Sequence, residues 1–211
     1  MSSTDPTAVS GRPVARLGRE SINLPNLITI SRFVLSLVLF ALIDVGGYWR
    51  TATALFIFAA STDWLDGYLA RKYGQVTTLG RILDPFVDKI IVGGTFLFLL
   101  EKNGSPESGA AVGSGITAWM VITVIGREMF VSSLRGFLEQ QGKDFSASFS
   151  GKAKMALQCV AVSASLLSMS PHVQWPWLVP VRDVLLWLAV AVTVWSGAVY
   201  VVRAVRLLRQ P

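Results

Sequence analysis

Asp63, Asp66, Asp84 and Asp88 fall inside or at the ends of two apolar stretches, where ionised groups are costly and usually serve a function. Asp63, Asp66, Gly67 and Ala70 recur at i, i+3, i+4 and i+7, giving one helix face two carboxylates and two small residues. Gly80, Asp84 and Asp88 form a second stripe on the following stretch. Consecutive antiparallel helices bring Asp63 level with Asp88 and Asp66 level with Asp84, in a layer about 12 Å inside Arg71 and Gly80. Four carboxylates so close repel one another unless cations neutralise them. An all-oxygen set suits Mg²⁺ or Mn²⁺, and a cluster of this size can hold two ions. With no His or Cys nearby, zinc is not expected. Gly67, Ala70 and Gly80 leave space that could admit a flat base and a diphosphate, or could simply let the helices pack closely.

The elements that must hold these groups are written in the composition. The chain has 211 residues, of which 52% are hydrophobic and 15% charged, and its mean hydropathy is +0.53. So little charge does not suit a water-facing surface. Apolar runs at 27–46, 52–70, 83–101, 115–135, 153–170 and 182–203 approach the roughly 20 residues needed to cross a bilayer. The expected fold is therefore an all-α integral membrane protein. Residues 1–22 form a polar tail with a short interfacial helix near 14–22, and 23–211 form one six-helix catalytic domain. Every Lys and Arg except Arg50, Lys102 and Arg182 falls on one side, which places both termini in the cytoplasm. Trp49, Trp175, Trp177 and Trp187 gather near the opposite face, as an aromatic belt would.

The net charge of +6 lies mostly at the ends of apolar segments, so it points to anionic lipid and not to nucleic acid. The single cysteine, Cys159, excludes an intrachain disulfide, and its apolar surroundings suggest an inert thiol. The N-terminal segment lacks the apolar core of a secretory signal. Arg12, Arg16 and Arg19 leave an organellar transit peptide as an alternative, against which Asp5 and Glu20 weigh. His172 falls in a turn beside Pro171, on the side away from the aspartates.

Read from Asp63 to Asp88, the pattern D-x2-D-G-x2-A-R-x8-G-x3-D-x3-D resembles, at every fixed position, the signature of the CDP-alcohol phosphotransferase family. The resemblance implies six transmembrane helices in a homodimer. It also implies that Asp63, Asp66 and Asp84 bind metal and the nucleotide diphosphate, and that Asp88 is both metal ligand and base. Gly67, Ala70, Arg71 and Gly80 would line the CDP site. Three further segments, 23–29 with Arg32, 126–135 and 151–154, resemble the phosphatidylglycerophosphate synthase branch. That branch moves the phosphatidyl group of CDP-diacylglycerol onto sn-glycerol 3-phosphate and releases CMP. It implies a bacterial cytoplasmic membrane with membrane lipids as surroundings.

A phosphate-bearing acceptor needs cations, and Arg127, Arg135 and Lys152 are the candidates. Arg127 lies about 12 Å inside Arg135, too deep for an interfacial anchor. It is either paired structurally with Glu128 or an aspartate, or it holds the acceptor phosphate, which its planar fork suits better than lysine would. Lys143 and Lys154 read as ordinary interfacial anchors. Inositol phosphate, phosphatidylglycerol and serine are the rival acceptors within the family. A cation transporter is the rival outside it, but charges confined to one half of the membrane do not make a path across it.

Overall fold

A computed structural model describes residues 24–73, 78–104, 109–141 and 149–209, and within them the side chains of 27–62, 86–104, 109–141, 151 and 153–209. Six helices follow one another: α1 (Leu24–Val45), α2 (Trp49–Tyr73), α3 (Thr78–Glu101), α4 (Ala118–Gln140), α5 (Phe149–Ser168) and α6 (Leu178–Arg209). Each coincides with one of the expected apolar runs. No strand occurs among the described residues. The interfacial helix expected near 14–22 lies outside them. Gly46 and Gly47 end α1 with φ of +74° and +75°, a region glycine enters without the steric cost a Cβ would bring.

Cross-helix contacts fix the directions. Arg32 meets Asp88, Phe40 stacks on Phe98 with ring centroids 5.0 Å apart, and Asp44 accepts from Lys102 at 3.1 Å. Residue numbers rise together along this seam, so α1 and α3 are parallel. A Cβ at Gly94 would collide with the Phe40 ring, so the glycine is what lets the two helices approach. Between α5 and α6 the numbers run in opposition, from Gln158 with Thr193 at 2.9 Å to Ser168 with Arg182 at 3.1 Å. Those helices are antiparallel, and the chain passes up and down through a bundle.

The core is a continuous apolar cluster that includes Leu39, Ile43, Phe56, Ile91, Phe96, Leu99, Val124, Leu166 and Leu186. The outward faces are also apolar: Trp119 is 77% exposed, Val184 65% and Ile122 61%. Two helices, over Leu27–Val45 and Leu178–Arg209, are by themselves long and apolar enough to cross a membrane, each with a mean hydropathy of 2.1.

The end of the bundle away from the aspartates is tied by polar contacts. Ser114 donates to the Leu99 carbonyl and Ser165 to the Ser114 carbonyl, both at 2.7 Å. Arg182, although it was expected only as a far-side charge, is buried. Its Nη1 donates to the Gly113 carbonyl at 2.6 Å and to Ser168 Oγ at 3.1 Å, and its Nε to Asp183 at 2.9 Å. Trp49 corrects the expectation of an interfacial belt. It is 1% exposed, and its indole N–H donates to the Gly109 carbonyl at 3.2 Å. Its ring serves the core, because the α1–α2 turn and the segment before α4 close over it. Trp175, Trp177 and Trp187 are exposed as a belt requires, and the first two stack at 5.3 Å. Cys159 is half-buried, and His172 is exposed in its turn.

Candidate active site

The last three turns of α2 carry Asp63, Asp66, Gly67, Ala70 and Arg71, and the first three of α3 carry Gly80, Asp84 and Asp88. The helical spacing on which the carboxylate stripes depend is therefore present in the backbone. The side chains of 63–85 and of Lys152 lie outside the described residues, as does the convergence of all four carboxylates. Three of the expected site residues have described side chains: Asp88, Arg127 and Arg135.

Asp88 is partly exposed, and its Oδ1 accepts from Arg32 Nη2 at 2.6 Å. Arg32 sits on the inward stripe of α1 with Thr29, Ser36, Leu39 and Ile43. The resemblance singles it out only as part of a secondary motif, with no partner assigned to it.

A second cluster joins α4, α5 and α6. Arg127 Nη1 donates to Glu128 Oε1 at 2.8 Å, and Lys154 Nζ pairs with the same oxygen. The Arg127 guanidinium carbon lies 5.3 Å from the centroid of the Tyr200 ring, within the range of a cation–π contact. Its stem passes against α6 at Gly197, where an added Cβ would stand 3.2 Å from Arg127 Cγ. The structural alternative for Arg127 is thus present. It is paired with Glu128, yet its Nε and Nη2 are buried with no hydrogen-bond partner. Arg135, two turns further along α4, also buries an unpartnered Nε. Buried donors are rarely left unsatisfied. Among the described residues, with two cations on one carboxylate and Arg135 beyond them, the cluster carries excess positive charge and unspent donors, the pattern of an anion site.

Lys154 departs from its reading as an interfacial anchor, since it is 5% exposed. Residue counting from the end of a span could not show this, because Glu128 on another helix draws it inward. Glu128 was the available signal: an acid inside an apolar run needs a counter-charge. Tyr200 and Gly197 could be sought only through the inward stripe of α6, which runs through Leu186, Ala189, Thr193, Ser196, Tyr200 and Ala204.

The model for the family described as CDP-alcohol phosphatidyltransferase matches residues 22–195, from before α1 to within α6. A Bacillus subtilis protein named CDP-diacylglycerol–glycerol-3-phosphate 3-phosphatidyltransferase is 37% identical over 194 residues, covering 84% of this chain and 93% of the relative. A chloroplastic/mitochondrial protein of that name from Arabidopsis thaliana is 37% identical over 85% of this chain and 62% of its own length. One from Rickettsia typhi is 33% identical over 84% and 94%. The match takes in the whole aspartate signature and the α4 and α5 cations, and on that extent the chain belongs to the CDP-alcohol phosphatidyltransferase family.

Proposed function

We propose that this chain transfers the phosphatidyl group of CDP-diacylglycerol to sn-glycerol 3-phosphate, giving phosphatidylglycerophosphate and CMP. The relatives whose names specify that acceptor support the reading. The structural observation that carries it is Arg127, a partly buried arginine with two buried, unpartnered donors in a cluster whose described residues are of net positive charge. A phosphate monoester would accept from those donors, and Arg135 and Lys152 would add to its hold. Serine and phosphatidylglycerol would give them less to bind. All six helices would span a bacterial cytoplasmic membrane with both termini inside, which the apolar outward faces support. The working form would be a homodimer. An organellar membrane is the alternative location.

In this reading Asp88 accepts the proton of the acceptor hydroxyl. The oxygen forms a bond to the phosphorus that bears diacylglycerol, the diphosphate P–O bond breaks, and CMP leaves with the electron pair. Asp63, Asp66, Asp84 and Asp88 would hold two divalent cations, and carboxylate oxygens are the donors that Mg²⁺ and Mn²⁺ prefer. When bound, the metal offsets charge on the diphosphate and on departing CMP. Gly67, Ala70, Arg71 and Gly80 would receive the nucleotide. Arg127 would fix the acceptor by its phosphate, so that its free hydroxyl is held towards the aspartates.

The test is a panel of acceptors offered to purified enzyme with labelled CDP-diacylglycerol and Mg²⁺ or Mn²⁺. Glycerol 3-phosphate should give CMP and labelled phosphatidylglycerophosphate, with little product from inositol phosphate, phosphatidylglycerol or serine. Preference for another acceptor would move the chain to a sister activity, and no CMP release with any acceptor would favour a transporter.

A further inference from the structure

Arg32 is a charge that α1 has no local reason to carry. It lies about 12 Å along the helix from Leu24, and it is 1% exposed on a stripe otherwise filled by Thr29, Ser36, Leu39 and Ile43. A leucine would fill the same stripe without the cost of removing a guanidinium from water. The side chain instead reaches α3, where Nη2 donates to Asp88 Oδ1 at 2.6 Å. Thr29, Ile30, Phe33, Phe86 and Val87 line an apolar cavity flanking the pair. α1 also packs against both α2 and α3, the two helices that bear the aspartates. Its register on α3 is fixed further along by Phe40 on Phe98 and by Phe40 over Gly94.

We propose that Arg32 is a positioning residue for the transfer reaction: it grips Asp88 by one carboxylate oxygen, and so sets from α1 the direction in which the carboxylate meets the acceptor hydroxyl. This rests on reading Asp88 as ligand and base. In this proposal Arg32 makes no contact with the substrate phosphorus. It acts through the orientation of Asp88, as partners of metal ligands generally do.

A merely structural ion pair and a positioning contact separate in two measurements on the full-length enzyme in lipid nanodiscs, kcat and the affinity for Mn²⁺ followed by electron paramagnetic resonance. Arg32→Met should lower kcat by about 10- to 100-fold while the KM for CDP-diacylglycerol stays within about two-fold, on the view that the contact acts in the transition state. Mn²⁺ should bind no more weakly than in the parent, because removing a cation from beside a carboxylate favours a competing cation. Arg32→Lys, which keeps the charge without the planar fork, should recover part of the lost rate. In an Asp88→Asn background, Arg32→Met should cost less than in the parent, since part of its effect passes through Asp88.

Unchanged kcat in Arg32→Met would overturn the proposal. So would a fall in kcat matched by loss of Mn²⁺ binding, or an equal penalty in the Asp88→Asn background. Where Arg32→Met does not insert, Arg32→Lys alone decides: lower kcat with intact Mn²⁺ binding supports the proposal, and unchanged kcat refutes it. A dead Asp88→Asn with a normal Arg32→Met sinks this inference and leaves the function standing. A fully active Asp88→Asn sinks the role of Asp88 and, with it, that of Arg32.

Discussion

Arg182 is buried and Arg127 partly buried in the bundle, each beside an acidic neighbour, yet their surroundings differ in one respect. Each guanidinium nitrogen of Arg182 has a partner: Nε and Nη2 meet Asp183, and Nη1 meets the Gly113 carbonyl and Ser168. Arg127 commits Nη1 to Glu128 and leaves Nε and Nη2 buried without one. A completed set of hydrogen bonds describes a tie between segments, whereas an incomplete set leaves donors that the proposed acceptor phosphate can use. The number of spent donors separates the two roles where burial and charge do not.

Four substitutions can break or sharpen that contrast. Arg182→Met should cost the most, on the order of 3 kcal/mol of stability, because it leaves the Gly113 carbonyl and Ser168 without their charged donor. Thermal unfolding in detergent would register the loss, while the surviving enzyme should keep kcat/KM for both substrates within about two-fold. A kinetic defect without loss of stability would dissolve the contrast. Arg127→Ala should do the opposite, lowering kcat/KM for glycerol 3-phosphate by about 100-fold, the worth of one or two charged hydrogen bonds, with a much smaller effect on stability. Arg127→Lys keeps the charge but not the fork, so its KM for glycerol 3-phosphate should rise about ten-fold while that for CDP-diacylglycerol barely moves. Lower yield with unchanged kinetics would make Arg127 a second tie. Gly197→Ala should be mildest: a Cβ 3.2 Å from Arg127 Cγ shifts the stem by tenths of an ångström, which should raise the acceptor KM a few-fold.

The six helices were legible because apolar runs and their breakers report helices in lipid directly. Their ends were less so. α6 continues to Arg209 and α2 begins at Trp49, because polar residues and charges extend a helix past its apolar stretch without penalty. The aspartate stripes could be read because helical spacing is local. The partners of Asp88 and Glu128 could not, since Arg32 is 56 residues from Asp88 and Lys154 is 26 from Glu128. Trp49 failed for the same reason, as only its bond to Gly109, 60 residues on, tells a core indole from an interfacial one.

With 32 residues, α6 is about 48 Å long, against a hydrocarbon layer of roughly 30 Å. Tilt and protrusion must absorb the excess, and Arg206 and Arg209 in its last turn suit the lipid headgroups. The same rod is held at one end by Arg182 and carries Tyr200 and Gly197 beside Arg127 near the other. If Arg127 holds the acceptor as proposed, bilayer thickness bears on that hold. A membrane of shorter or longer acyl chains alters the angle of a helix clamped near Arg182, and the displacement grows along it, so that Gly197 and Tyr200 move more than the clamp.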